Sequence, residues 1–192
     1  MGRLYDLVMG MLERGWLAAL REQLWREAPA QGLGLDLGAG TGANFVYYPA
    51  GGMIVAAEPS ASMMKRAVAK NAPTPRLLVR ADAQALPFRG DSLDFAVATL
   101  VFCEVPDPLE GFEEVRRVLK PGAPILMLEH VKPRGRLGDV ARLLTRLTGP
   151  LFGEHYDRQT TRTLQDAGFT LEQEQRYLHD AVVRLQARKP GA

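Results

Sequence analysis

A glycine-rich turn at residues 35–42 constrains this chain more than any other feature of its sequence. The turn reads Leu-Asp-Leu-Gly-Ala-Gly-Thr-Gly, follows an apolar segment and precedes a segment with helical spacing. Glycine adopts left-handed backbone conformations and lets a ligand approach the backbone closely. The pattern Gly38-x-Gly40-x-x-Ala43 also satisfies the dinucleotide-binding fingerprint. The turn therefore predicts a strand–turn–helix unit with a ligand beside its glycines, and we expect no room for a side chain at Gly40.

Short apolar segments alternate with helical segments along the rest of the chain. The predicted strands are 33–37, 53–57, 77–80, 94–100 and 125–129, followed by a hairpin of 169–177 and 181–187. The predicted helices are 3–28, 42–48, 60–70, 108–119 and two within 134–167. Strands that alternate with helices pair in parallel through right-handed crossovers. The chain is thus expected to form a doubly wound, mostly parallel seven-stranded α/β sheet of three layers, α/β/α, with a C-terminal antiparallel hairpin.

The length of 192 residues suits one domain with a sizeable core. We expect a single domain, 1–192, with four parts. These are an N-terminal helical cap (1–30), a cofactor-binding core (31–131), a helical lid or substrate region (132–168) and a C-terminal β-hairpin (169–192).

Composition excludes several classes of protein. A net charge of +2 gives no strong attraction to nucleic acid. The single cysteine, Cys103, excludes an internal disulfide and a cysteine-only zinc site, and the sequence offers no metal-ligand spacing. No apolar run is long enough to span a membrane, and Asp6, Glu13 and Arg14 interrupt the N-terminal apolar stretch. We therefore expect a cytoplasmic protein without metal, nucleic-acid partner or transmembrane segment.

Two carboxylates near the glycines indicate the kind of ligand. Asp36 at the start of the turn would repel a pyrophosphate but suits a ligand that carries an ammonium and a sulfonium. Glu58 closes the second strand, 18 residues after Gly40, where a carboxylate can accept hydrogen bonds from both ribose hydroxyls.

Together with Asp82 and the segments 94–105 and 115–122, these residues resemble the class I S-adenosylmethionine-dependent methyltransferases over roughly residues 33–130. The resemblance implies S-adenosylmethionine as cofactor and S-adenosylhomocysteine as product. It places Asp36 near the amino-acid end of the cofactor, Asp82 near the adenine amino group and the Ala83 amide at a ring nitrogen. The implied cofactor-binding residues are Asp36, Gly38, Ala39, Gly40, Glu58, Pro59, Asp82, Ala83, Thr99 and Leu100.

Methyl transfer by in-line displacement needs alignment and exclusion of water more than covalent chemistry from the protein. The sequence agrees, since it contains no Ser/His/Asp arrangement. Candidate bases are Glu104, Glu129, His130, His155 and Tyr5, and we expect His130 or Glu104 to steer the acceptor. A hydrogen-bonded structural histidine is the alternative for His130.

Four residues are candidates for contact with the acceptor. Tyr5 can cap the pocket or simply pack, and Cys103 lies at the pocket mouth or is a small buried residue. His155 and Arg158 lie in a lid-like segment after Gly149-Pro150.

Closer similarity points to the subgroup of phospholipid N-methyltransferases, thiol methyltransferase-like proteins and quinone-biosynthesis methyltransferases, and so to a small-molecule or lipid-like acceptor. It rests on residues 35–49, 99–105 and 128–131 and on Gly153-x-His155-x-x-Arg158. The basic amphipathic segment 132–152 is compatible with reversible membrane contact or with a helix packed on the sheet.

Two rival functions remain open. A catalytically silent module would hold the cofactor without turnover. A nicotinamide-dependent oxidoreductase would need a catalytic Tyr/Lys pair, which the sequence lacks after the fourth strand. The sequence gives neither the atom methylated nor the oligomeric state.

Overall fold

The computed structural model describes residues 13–130, 159–177, 180 and 182–191. Seven strands form one sheet: β1 (Gln31–Leu37), β2 (Gly51–Ala57), β3 (Arg76–Val79), β4 (Phe95–Thr99), β5 (Pro124–His130), β6 (Thr170–Tyr177) and β7 (Val182–Arg188). The helices among these residues are α1 (Ala18–Arg26), α2 (Ala61–Val68), α3 (Pro108–Val118) and α4 (Thr160–Asp166).

The strand order is β3-β2-β1-β4-β5-β7-β6. The first five strands pair in parallel, whereas β7 pairs antiparallel with both β5 and β6. The expected doubly wound sheet with its C-terminal hairpin is therefore confirmed. Strand order reverses between β1 and β4, which is where α/β sheets of this kind place ligands, beyond the carboxyl ends of their strands.

The sheet separates two apolar cores because successive strand residues point to opposite faces. In β4, Ala96 and Ala98 belong to the core beneath α3 and α4, whereas Phe95 and Val97 belong to the core beneath α1. All five residues of β4 are buried, as a central strand covered on both faces requires. This burial explains why residues 95–98 form an unbroken apolar run.

Helix α3 shows how sequence sets the limits of an element. The Asp107 carboxylate caps its start by accepting hydrogen bonds from the N–H groups of Leu109 (3.0 Å) and Glu110 (3.2 Å). Pro108 occupies the first turn, where its missing N–H is harmless. Phe112 stacks on Phe102 at a centroid distance of 3.7 Å and joins the helix to the core.

The helix predicted over 42–48 is wrong. The structure has only a 3-10 turn, Phe45–Tyr47, at this place. Pro49 disfavours helical backbone at the residue before it, and Tyr48 is accordingly extended with ψ of 136°. Gly42 has a φ of 78°, which also interrupts a right-handed helix. The apolar spacing of Phe45 and Tyr48 reflects their shared burial against α1.

Two other predicted segments lie partly outside the described residues. The predicted helix over 3–28 is described from residue 13, where a π-helical turn, Glu13–Leu17, leads into α1. Of the predicted 134–167 helices, the structure describes α4 alone. Among the described residues, no helix is long and apolar enough to cross a bilayer.

Candidate functional site

The carboxyl ends of β1, β2 and β4 surround a cavity of about 540 Å³. This volume lies within the range of small-molecule sites. The described lining residues are Arg21, Leu37, Gly38, Ala39, Gly40, Thr41, Ala43, Glu58, Pro59, Ser60, Met63, Ala81, Asp82, Ala83, Thr99, Leu100, Val101, Glu104, Val105 and Pro106. The structure thus brings together every predicted cofactor residue except Asp36, along with Glu104.

The glycine turn after β1 forms one wall of the cavity. Gly38 and Gly40 both have left-handed backbones, with φ of 64° and 56°. An added Cβ at Gly38 would lie 2.5 Å from Cγ2 of Val101, so packing excludes a side chain there. At Gly40 the nearest atoms to an added Cβ lie 3.9 and 4.0 Å away. The expectation that Gly40 lacks room is therefore wrong, and its constraint is the backbone conformation and the adjoining cavity space.

Glu58 joins the glycine turn to the start of α2. Its Oε2 accepts a hydrogen bond from the Gly40 N–H at 2.9 Å, and its Oε1 accepts one from the Ser60 N–H at 2.8 Å. The residue is buried, and it follows β2 directly. Because each carboxylate oxygen has two lone pairs, both oxygens keep acceptor capacity toward the cavity.

Asp82 and Ala83 form a turn after β3 on the same side of the sheet. The Asp82 carboxylate accepts a hydrogen bond from the Gln84 N–H at 3.0 Å, and the Asp82 carbonyl accepts one from the Ala85 N–H at 3.1 Å. Asp82 is exposed, whereas Ala83 is buried. Asp82 thus adds a second carboxylate to the cavity lining, in the turn after β3, whereas Glu58 follows β2.

A tight bend follows β4 at the cavity wall. Leu100 has a φ of 59°, which is rare for a residue with a side chain, and its N–H donates to the Leu128 carbonyl at 2.7 Å. Thr99 is buried, and its Oγ1 lies 3.4 Å from Nδ2 of Asn44. The bend turns the backbone so that Leu100 and Val101 face the cavity.

Asp36 is fully buried and is not among the described residues that line the cavity. Its Oδ1 accepts a hydrogen bond from Asn44 Nδ2 at 2.8 Å, and its Oδ2 accepts one from the Tyr48 hydroxyl at 2.6 Å. Burial raises the pKa of Asp36 to about 6, although both hydrogen bonds and the nearby Arg21 oppose the rise. Burial and the Asp36 charge raise the pKa of Tyr48, so its hydroxyl remains a donor.

Arg21 was missed by the sequence analysis. It is a buried residue of α1 that lines the cavity, and its Nη1 donates to Asn44 Oδ1 at 3.0 Å. Arg21 thereby connects the cavity wall to Asp36 through Asn44. The sequence could have pointed to Arg21 through its position, because this charged residue lies among Leu17, Leu20 and Leu24 on the apolar face of the helix.

The candidate catalytic and acceptor residues lie in different surroundings. Glu104 is exposed and lines the cavity. His130 ends β5 opposite Val182, is half-buried and is not among the described lining residues. Cys103 is buried and likewise outside that lining. Glu129 is buried, and its Oε1 accepts hydrogen bonds from the Val101 and Phe102 N–H groups at 3.0 and 3.2 Å.

Three candidate acceptor residues, Tyr5, His155 and Arg158, lie outside the described residues. Within the part that is described, no group of three or more His, Cys, Asp or Glu side chains could hold a metal ion. The polar groups at the cavity are instead three carboxylates, hydroxyls, backbone amides and one guanidinium. Open space at Gly40 beside Glu58 fits an adenosine ligand with ribose hydroxyls better than it fits a phosphate.

Comparisons with known proteins agree with this geometry. A family model described as a methyltransferase domain matches residues 35–127. Thiol S-methyltransferase TMT1B of Rattus norvegicus is 34% identical over 147 residues, covering 71% of this chain and 59% of that protein. Demethylmenaquinone methyltransferase of Clavibacter sepedonicus is 36% identical over 138 residues, covering 67% of this chain and 54% of that protein.

The chain thus spans less than two thirds of the length of either relative. Among solved structures, a Bacillus halodurans protein described as a methyltransferase has a TM-score of 0.74 at 17% identity, covering 92% of this chain and 100% of that one. This likeness shows the shared fold. The matched family, the two relatives and the sheet order together place this chain in the class I S-adenosylmethionine-dependent methyltransferase family.

Proposed function

We propose that this chain transfers a methyl group from S-adenosylmethionine to a small, largely apolar acceptor. The observation that carries the proposal is the position of Glu58. Its carboxylate bridges the Gly40 and Ser60 N–H groups, so it fixes the glycine turn and presents acceptor oxygens at the same cavity that Asp82 lines. Such an arrangement suits a ligand with neighbouring hydroxyl donors and a cationic centre.

Each of these residues would bind a different part of the cofactor. Glu58 would accept hydrogen bonds from the ribose hydroxyls, while Asp82 and the Ala83 amide would hold the adenine. Arg21 would attract the carboxylate at the amino-acid end. Asp36 would act through Asn44, because its own oxygens already accept hydrogen bonds from Asn44 and Tyr48.

The bound cofactor supplies a methyl group already activated on a sulfonium. The contribution of the chain is then to align the acceptor and to exclude water. Leu100, Val101 and Val105 form an apolar part of the cavity wall beside Glu104. Glu104 is therefore our candidate to accept a proton from the acceptor, and His130 is assigned a supporting role near the end of β5.

The names of the relatives suggest two classes of methyl acceptor. A thiol is our first candidate, since thiol S-methyltransferase TMT1B of Rattus norvegicus matches this chain over 71% of its length. A quinone precursor is the second candidate, because a demethylmenaquinone methyltransferase has 36% identity. Both acceptors place an apolar body next to a weakly acidic group, which suits an apolar wall beside Glu104.

Calorimetry with S-adenosylhomocysteine tests the cofactor site. The wild-type protein should bind, and Glu58→Gln should weaken binding by about 1–3 kcal/mol. The amide of glutamine keeps one acceptor oxygen, but it replaces the other oxygen with an NH2 group, which is a donor facing an N–H donor. Glu113→Gln on the exposed face of α3 is the matched control and should bind normally. Equal affinity of wild type and Glu58→Gln would show that Glu58 does not contact the cofactor.

A panel of acceptors with methyl-labelled cofactor then tests turnover. It should include aliphatic and aromatic thiols, a reduced demethylmenaquinone, phenols, amines and phosphatidylethanolamine vesicles. Labelled thioether or methylated quinol supports the proposal. Binding of S-adenosylhomocysteine without product from any acceptor supports the silent binding module instead.

A further inference from the structure

The loop that follows β4 is held in an unusual backbone conformation beside the cavity. We call residues 100–104 the β4 loop. Leu100 has a φ of 59°, and the Glu104 N–H closes the following turn by donating to the Val101 carbonyl at 2.9 Å. Residues with a side chain adopt this region rarely and only where the surroundings enforce it.

Glu129 supplies the central contact. Its Oε1 accepts hydrogen bonds from two consecutive N–H groups, those of Val101 at 3.0 Å and Phe102 at 3.2 Å. The side chain is fully buried at the end of β5, next to β4 in the sheet. Burial keeps water from competing for these N–H groups, and a hydrogen bond is stronger in the low-dielectric interior than in water.

Two further contacts fix the same loop on either side of Val101. The Leu100 N–H donates to the Leu128 carbonyl at 2.7 Å, and the Phe102 ring stacks on Phe112. Between these anchors, the Val101 side chain fills the space over Gly38, where an added Cβ would come within 2.5 Å of it. Glu129 thus holds the backbone at Val101. The Val101 side chain in turn packs against Gly38 of the glycine turn.

We propose that Glu129 is a positioning residue: it holds the β4 loop so that Leu100, Val101 and Glu104 place the methyl acceptor, although Glu129 itself does not line the described part of the cavity. This inference rests on the proposed function. It assigns Glu129 a different role from the candidate base in the sequence analysis. The cofactor contacts proposed at Glu58 and Asp82 lie just after β2 and in the turn after β3, so acceptor placement should depend on Glu129 more than cofactor affinity does.

The first experiment measures amide hydrogen exchange of Val101 and Phe102 in the full chain. Glu129→Ala should speed exchange at both amides at least tenfold, and Glu129→Gln should restore most of the protection because its carbonyl oxygen can accept both hydrogen bonds. Glu114→Ala is the matched control. Glu114 also accepts a backbone hydrogen bond, from Leu86 at 2.9 Å, but Leu86 does not belong to the β4 loop. Unchanged exchange in Glu129→Ala would overturn the proposal.

The second experiment separates positioning of the acceptor from general damage. For Glu129→Ala, we expect kcat/KM for the most active acceptor of the panel to fall at least tenfold, while the Kd for S-adenosylhomocysteine changes less than threefold. Glu129→Gln should recover most of the turnover. A parallel loss of cofactor affinity and turnover would overturn the proposal, since it would indicate general disruption of the site.

Two more variants cover the case in which Glu129→Ala does not fold. Glu129→Asp keeps the carboxyl group but is one methylene shorter, so it should also speed exchange at Val101 and Phe102. Adding Leu100→Gly to Glu129→Asp should restore part of the protection of these two amides against exchange, because glycine adopts the left-handed conformation without strain. Wild-type exchange in Glu129→Asp, or no recovery on adding Leu100→Gly, would count against the proposal. The exchange readout needs no turnover, so a panel without product would contradict the proposed function alone.

Discussion

At the scale of single residues, Gly38 and Gly40 share a backbone conformation under different constraints. Packing against Val101 leaves Gly38 no space for a side chain. Gly40 has space, but that space belongs to the cavity, and its N–H is held by Glu58. A methyl group added at Gly40 should therefore affect binding of the ligand as well as stability.

We expect Gly40→Ala to lower the free energy of unfolding by about 1–2 kcal/mol, the usual effect of a left-handed alanine. Gly122→Ala is the matched control, because Gly122 has a φ of 77° and open space but lies outside the described cavity lining. Urea unfolding should show similar losses for both variants. Calorimetry should show weaker S-adenosylhomocysteine binding for Gly40→Ala alone. Equal affinities in the two variants would contradict the placement of the cofactor at this turn.

Asp36 is a residue whose ionisation opposes folding. Burial raises its pKa to about 6, whereas an aspartate in an unfolded chain has a pKa of about 3.9. Between these values the folded protein binds more protons than the unfolded chain. The free energy of unfolding therefore falls as pH rises from about 4 to about 6, and it changes no further above that range on account of Asp36.

This linkage predicts a difference between wild type and Asp36→Asn. From pH 4 to pH 6.5, the free energy of unfolding of the wild type should decline relative to the variant by on the order of 2–3 kcal/mol. Urea unfolding at a series of pH values measures it. Asp166→Asn, at an exposed position on α4, should keep the wild-type decline. Parallel pH profiles for wild type and Asp36→Asn would show that Asp36 ionises normally.

At the scale of elements, α3 depends on its first turn. The Asp107 carboxylate accepts hydrogen bonds from two N–H groups that have no partner within the helix. The helix also buries Phe112, Val115 and Val118. Loss of the cap should loosen the start of the helix while these apolar contacts keep the rest in place.

Asp107→Ala should therefore reduce the free energy of unfolding by about 1 kcal/mol. Asp107→Asn should lose less, since its side-chain oxygen can still accept a hydrogen bond. Thermal unfolding of the two variants measures the difference. If both variants lose the same amount, then charge at this position matters more than the hydrogen bonds.

The same scale shows which elements the sequence could predict. Strand β4 was predictable because an unbroken apolar run follows from burial on both faces. The helix over 42–48 was not, because Phe45 and Tyr48 have helical spacing while Pro49 stops the helix. Arg21 was not predicted because its helix was identified from the spacing of apolar residues, and a charged residue within that apolar face was not given a role.

At the scale of the whole molecule, β7 contributes to the core beneath α3 and α4. Leu185 on β7 is buried in this core, and β7 lies between β5 and β6. The final strand is thus an internal part of the sheet, with Lys189 just beyond it bound to Asp91 at 2.6 Å. Loss of packing at β7 should lower the stability of the protein as a whole.

We expect Leu185→Ala to reduce the free energy of unfolding by about 2–5 kcal/mol, because it leaves a cavity in a close-packed core. Leu77→Ala on the edge strand β3 is the control, since Leu77 is 54% exposed and its truncation should change stability little. Urea unfolding measures both. A small effect of Leu185→Ala would mean that β7 packs loosely.

The composition of the site was partly predictable at this scale. Parallel strands end at one edge, so Glu58 and Asp82 could be assigned to one site from their order along the chain alone. The orientation of Asp36 could not. Strand residues alternate between faces, and Asp36 lies between Leu35 and Leu37 of one core with its side chain bonded to Tyr48 of the other. The three-dimensional partners, Asn44 and Tyr48, decide its environment.

The separation of the two cores by the sheet has a consequence for protein engineering. Buried residues on opposite faces, such as Leu24 and Leu185, belong to different clusters and share no side-chain neighbours within them. Energetic effects of changes at such independent places are additive to a good approximation. Thermostability could therefore be improved by repacking one layer at a time, with the catalytic edge left untouched.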